Sequence, residues 1–132
     1  MDNFLDIYKP TIISASSALN DQEKQLLKLI ASKVEVATET SKNTSYTFNV
    51  KDVYKYLNMP ITEDHKPLRK FTNGIMKKII EFRKGESFLL VSWLSSVTFY
   101  LDTNEVSFAF DPYMLKFYQN LHDYFYTIYL KK

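Results

Sequence analysis

The chain carries two hydrophobic periods, one after the other. From Asn20 onward, Leu26, Leu27, Ile30 and Val34 recur at helical spacing. Asn20 is a good N-cap and Glu23, three residues on, is its capping-box partner, so a helix is predicted to start there. The polar stretch from Ala37 to Thr44 reads as a loop. Ser45–Asn49 alternates and is rich in strand formers, which predicts a short strand. Asn49 can cap a second helix with Asp52 at its third position, Val53 and Leu57 inward, and Asn58-Met59-Pro60 as its stop. Asp64 is the expected cap of a third helix, because Pro67 then falls in the first turn, where its missing N–H is harmless. The pattern carries this helix to Lys84, with Gly85 as a left-handed stop.

From Glu86 the period changes to 2. Leu89, Val91 and Trp93 alternate with Phe88, Leu90 and Ser92, and Val97, Phe99 and Leu101 form a second alternating set. Asp102-Thr103-Asn104-Glu105 is a turn, followed by Val106, Phe108 and Phe110. Asp111-Pro112 reads as the cap and first position of a fourth helix, to about His122. The tail Tyr124–Leu130 is expected as a last strand or extended segment. The order is helix, strand, helix, helix, then strands joined by a tight turn. That order predicts an α+β winged helix-turn-helix, a helical bundle with a small antiparallel sheet, in which the hairpin is the wing. Residues 1–18 are expected to form an N-terminal arm and residues 19–132 a single winged-helix domain.

The third helix is where charge changes the picture. With Leu68 at zero and about 100° per residue, Phe71, Ile75, Ile79 and Phe82 lie within about 60° of it. Lys66, Arg69, Lys70, Asn73, Lys77 and Lys84 lie on the far side. From Lys66 to Lys84 there are seven basic residues against Glu81 alone, a net charge of +6, while the rest of the chain holds ten basic and fourteen acidic residues. A nearly neutral protein of net charge +2 is thus an acidic one with one strongly basic segment. In a helix-turn-helix the second helix enters the major groove, where Arg and Lys meet guanine edges or phosphates and Asn can read adenine. Lys66, Arg69, Lys70, Asn73 and Lys77 are therefore expected to face double-stranded DNA. Lys66 and Lys84 would bracket the phosphate contacts, with Asn73 and Arg69 nearer base edges.

Counting excludes other chemistries. There is no Cys among the 132 residues, hence no disulfide, catalytic thiol or thiolate metal site. The two Gly residues, Gly74 and Gly85, cannot make a P-loop or a dinucleotide fingerprint. His65 and His122 are the only histidines, and no His-x-His stands near a tyrosine nucleophile. Glu63 and Asp64 read as capping charges, His65 as a first-turn surface residue and His122 as a helix-end residue. No enzyme activity, cofactor or metal is expected. No apolar run approaches the roughly 20 residues of a membrane span. The acidic start Met1–Asp6 lacks the layout of a secretory signal, so the cytoplasm is the expected compartment.

Aromatic residues are 16% of the chain, and Tyr113, Phe117, Tyr118, Tyr124, Phe125, Tyr126 and Tyr129 cluster near its end. They are candidates for a partner surface as much as for core. The segment Val97–Leu101 has no charge, Pro or Gly to guard an exposed edge. A two-fold homodimer is expected, with Val97, Phe99, Leu101, Tyr124 and Tyr126 at its interface.

Several short segments, in this order, resemble the first winged-helix domain of the iteron-binding plasmid replication initiators. They are Ser14-Ala15-Ser16 with Leu19–Leu27, then Tyr46-Thr47-Phe48 and Val53 before Lys66-Pro67-Leu68-Arg69-Lys70. Val91-Ser92-Trp93 with Tyr100, Val106–Asp111 with Tyr113 and Leu115, and Tyr126–Leu130 complete the set, which spans about residues 14–130. The resemblance implies binding to repeated origin sequences, DNA opening with host replication proteins, and dimerisation that switches initiation off. Members of that family continue into a second winged helix that carries much of the sequence reading. This chain ends at Lys132, so full initiator activity is not expected of it alone. The rival reading is a winged-helix module that only dimerises or binds protein, its basic stripe merely solvated.

Overall fold

The computed structural model describes residues 11–36, 43–62 and 64–119. Residues 11–15 are helical and run into a 3-10 turn, Ser16–Ala18. This segment is not the arm expected from its small polar residues: Ile12 is fully buried in the core, and the Ser16 hydroxyl donates to the Ile13 carbonyl at 2.5 Å.

Helix α1, Asp21–Val36, begins at the expected capping box. The Glu23 N–H donates to Asn20 Oδ1 at 2.7 Å, and the Asn20 N–H donates to Glu23 Oε1 at 2.8 Å. Leu26, Leu27, Ile30 and Val34 are all buried, as the spacing requires. Strand β1, Ser45–Asn49, leads directly into α2, Val50–Leu57, where the Asn49 side chain accepts the Lys51 N–H at 2.8 Å. Left-handed Asn58 ends α2.

Helix α3, Lys66–Met76, is shorter than its hydrophobic pattern suggested. Residues 79–84 are not helical. They form strand β2, Ile79–Lys84, which pairs antiparallel with β3, Ser87–Ser92. Ile80 and Phe82 are buried while Ile79 and Arg83 are exposed, which is a period of 2. Gly85 has φ 60°, and no other residue of the Gly85–Glu86 loop has positive φ. That is the two-residue II′ hairpin pattern, with Gly first. Gly85 thus turns a strand rather than ending a helix.

Strands β4, Ser96–Tyr100, and β5, Glu105–Ala109, form the second hairpin. They join β1 in an antiparallel sheet of order β1-β5-β4, with Phe48 opposite Val106 and Phe99 on the other side of it. A 3-10 turn, Pro112–Met114, capped by Asp111, opens the short helix α4, Leu115–Gln119. Expectations for His122 and for Tyr124–Leu130 lie outside the described residues.

The core lies between α1, the three-stranded sheet and α4. Phe48 meets Phe108 edge-on at 5.8 Å, Trp93 meets Phe117 edge-on at 5.4 Å, and Phe110 packs on Tyr118 at 4.2 Å. Phe117 and Tyr118 are fully buried, so part of the C-terminal aromatic load is core, whereas Tyr113 is exposed. The arrangement β1, α2, α3, β4, β5 is a winged helix, and the β2–β3 ribbon is an insertion between its third helix and its wing.

Candidate nucleic-acid interface

Helix α3 has a divided surface. Leu68, Thr72 and Ile75 are buried, and Phe71 and Met76 are half-buried against the core. Lys66, Arg69, Lys70, Asn73 and Lys77 are all exposed. At about 100° per residue these five fall within an arc of about 100°. Lys77 is the C-cap and keeps right-handed helical geometry at φ −80°, so its position continues the stripe. The expected face is therefore assembled on one side of one helix, apart from its last member. Lys84 lies on β2, paired with Ser87 at the end of the ribbon, and so is not on this helix.

The turn that leads into α3 is tightly held. Asp64 does not take the N-cap position. That position belongs to His65, in left-handed backbone at φ 56° and ψ 28°. Asp64 still serves the helix from one residue out, where its Oδ1 accepts the Lys66 N–H at 3.0 Å. That bond holds the Asp64 carboxyl below its ordinary value. His65 is not the surface residue expected of a first turn. It is 7% exposed, and its Nδ1 lies 2.9 Å from the Tyr54 hydroxyl. Burial raises the Tyr54 phenol above its ordinary value, against a smaller opposite pull from Thr62.

Not every cation of the basic segment is available. Lys78, between α3 and β2, donates to Glu23 Oε1 at 2.6 Å and to the Ala18 carbonyl at 2.8 Å. It joins the root of the ribbon to the start of α1. Gly74 faces this junction, and a Cβ there would make only an ordinary contact, 3.9 Å from Glu23 Oε2. Conversely, α2 exposes Lys51, Lys55 and Tyr56, which sequence reasoning did not single out. The available signal was two lysines four apart on a helix whose Val50, Val53 and Leu57 point the other way.

Of the residues expected at a dimer interface, Val97, Phe99 and Leu101 are described, on β4 and just after it. Val97 and Phe99 are half-buried against the core, because the odd positions of β4 face inward. Leu101 is 76% exposed in the loop after β4, and Tyr124 and Tyr126 lie outside the described residues. Among the described residues, the outer edge of β4 carries no neighbouring strand. An apolar surface that was not anticipated lies on the outer face of the ribbon. Ile79, Phe88 and Leu90 are 55%, 58% and 60% exposed, and the Arg83 guanidinium lies 5.2 Å over the Phe88 ring. The Ile79-Ile80 doublet and the run Phe88–Leu90 were its signal, since a strand that is apolar at adjacent positions is apolar on both faces.

Among the described residues there is no group of three His, Cys, Asp or Glu that could hold a metal ion. A shallow groove of about 430 Å³ is lined by Thr11, Ser14, Ala15 and Glu81. Among the described residues, no helix is long and apolar enough to cross a membrane.

A two-helix turn, a basic second helix and a hairpin wing on a three-stranded sheet define a winged-helix domain. The family model of the initiator replication protein WH1 domain matches residues 7–132, and the chain belongs to that family. The fold is similar to the crystal structure of the MSBI1.176 WH1 domain, a replication protein isolated from a multiple sclerosis patient. The two share a TM-score of 0.58 and 17% identity, over 88% of this chain and 92% of that one. No curated protein matches the chain.

Proposed function

We propose that this replication-initiator domain contacts duplex DNA through the exposed face of α3 and self-associates, without catalysis, at the repeated sequences of a plasmid origin in the cytoplasm. One observation carries the DNA reading: Lys66, Arg69, Lys70, Asn73 and Lys77 are exposed together on the side of α3 opposite its buried residues. The basic side chains supply phosphate contacts, and Arg69 and Asn73 supply polar groups for base edges. Neutralising Lys66, Arg69, Lys70 and Lys77 together removes up to about four phosphate contacts, so the log–log salt slope of DNA binding should fall by up to about 3.6. The fold should survive, because none of the four is buried. An unchanged slope and affinity would move the DNA face elsewhere on the molecule.

A second surface favours self-association, and in its strongest form it supports the rival reading of a module that only binds protein. Ile79, Phe88 and Leu90 share the outer face of the ribbon with Glu81 and Arg83. Two ribbons stacked antiparallel about a two-fold axis would cover the apolar trio and set each Glu81 against the partner's Arg83. Pairing two copies of the α3 face would instead bring like charges together. Sedimentation across a wide concentration range tests this: Leu90→Lys should be monomeric where the wild-type chain is dimeric. A wild-type chain that is monomeric throughout removes the self-association claim and leaves DNA contact to be tested by the salt slope, and contact with host replication proteins to be tested by pull-down on the ribbon variants.

A further inference from the structure

We propose that His65 is a positioning residue for the recognition helix, a joint through which α2 and β4 together set the direction in which α3 leaves the turn. The inference rests on the reading of α3 as a DNA-binding helix, and it names a residue that lies outside the exposed face.

The imidazole is held from two other elements. Its Nδ1 is 2.9 Å from the Tyr54 hydroxyl of α2, with the two rings 5.7 Å apart. Its plane lies 16° from that of Phe99 of β4, at 5.8 Å between centroids. The backbone of the same residue is the start of α3: the Arg69 N–H donates to the His65 carbonyl at 2.8 Å, the first turn of the helix. An N-cap residue ordinarily spends its side chain on the helix's own N–H groups. His65 makes no such bond, and Asp64 supplies the cap instead. The side chain is thus released from capping and buried against the wing strand and the preceding helix. The left-handed backbone, which few side chains adopt and which His tolerates better than most, turns the ring inward while the chain turns outward into α3.

A helix that reads base edges depends on its angle as well as its charges. The phosphate contacts of flexible Lys and Arg side chains tolerate a small rotation, but a base-edge contact does not. Loosening this joint should therefore lower discrimination between duplexes more than it lowers total affinity.

The test uses the whole chain and two variants. Tyr54→Phe removes the hydrogen bond and keeps both rings, and His65→Asn keeps a residue that tolerates left-handed backbone and removes the ring. A preferred 30-base-pair duplex is first selected from a randomised pool with the wild-type chain, and its scrambled sequence is the control. The joint predicts that both variants remain folded by circular dichroism at 15 °C, keep the wild-type salt slope on the scrambled duplex, and lose about tenfold in preference for the selected one, comparable to one net hydrogen bond. A purely structural role would lower the melting temperature and leave that preference unchanged, which would overturn the proposal. Amide hydrogen exchange separates this from failure of the DNA reading. If the wild-type chain binds no duplex, the Arg69 amide should still lose protection in Tyr54→Phe relative to amides in α1. Unchanged Arg69 protection overturns the joint whether or not DNA binds.

Discussion

The two hairpins of this domain use similar material to different ends. The wing, β4–β5, has a four-residue loop with Asp102 and Glu105 about its tip and no basic residue from Ser96 to Ala109. Its inward side chains, Val106 and Phe108 among them, fill the core, and its tip is bonded to α2. The inserted ribbon, β2–β3, has a two-residue loop flanked by Arg83 and Lys84, and apolar residues on both faces. In a winged helix the wing is the expected second contact with DNA, yet here the cations sit on the insertion. A strand given one apolar face builds a core. A ribbon given two, with alternating charges on the outer one, has surface left for something outside the domain.

The largest effect should come where the two hairpins part. Trp93, between β3 and β4, is buried, and its carbonyl accepts the Tyr118 hydroxyl at 2.7 Å. Trp93→Ala should cost about 3–5 kcal/mol, a large share of the roughly 5–15 kcal/mol that holds a domain together. Chemical denaturation measures this directly, and a loss under about 1 kcal/mol would mean that the junction is not a shared anchor. The same junction predicts an alkaline limit. Burial pushes the Tyr118 phenol far above its ordinary value of 10.0. The folded form therefore holds the proton more tightly than the unfolded chain. Its contribution is complete below about pH 10 and declines as pH rises beyond that. Tyr118→Phe should flatten the alkaline limb of the stability profile, while losing the hydrogen bond at all pH values.

The two faces of the ribbon should then separate cleanly. Phe82→Ala, on the inner face, should cost about 3–5 kcal/mol, whereas Phe88→Ala, on the outer face, should change monomer stability by less than about 0.5 kcal/mol. Equal losses would show that both faces are core. The turns give the smallest and most direct contrast. Gly85→Ala places a Cβ in open space but in left-handed backbone, so it should cost about 1–2 kcal/mol from torsion alone. Asn104, at φ 58° in the wing loop, should accept Gly within about half a kcal/mol either way. Thermal melts of the two variants check the pair.

How the sequence hid the ribbon is instructive. Leu68, Phe71, Ile75, Ile79 and Phe82 fit one helical face, but Ile80, Phe82, Leu89 and Val91 also fit one strand face. The two periods coincide over a few residues, and a Gly after a run of cations serves equally as a helix stop or a hairpin turn. Long-range pairing with β3 decides between them, and that pairing is not local information. The elements with local signals at both ends were legible: α1 from its capping box, α2 from Asn49 to Asn58, and the wing from its turn. Five of the six candidate DNA residues fell together because they lie within the part of α3 that both readings share. Lys84 fell away because it lies beyond that part. His65 reads as a surface residue in the sequence because burial of a lone His depends on Tyr54 and Phe99, which belong to other elements.

One small contact has a wider consequence. The first amide of a helix has no partner within the helix. In α2 that amide, on Val50, donates to the carbonyl of Asn104 at the wing's tip, at 3.0 Å. The wing thereby closes the open end of the helix that precedes α3. Fraying of α2 and lifting of the wing both break this bond, so the two motions are expected to be coupled. Exchange of the Val50 amide with solvent should therefore report opening at the contact between wing and helix.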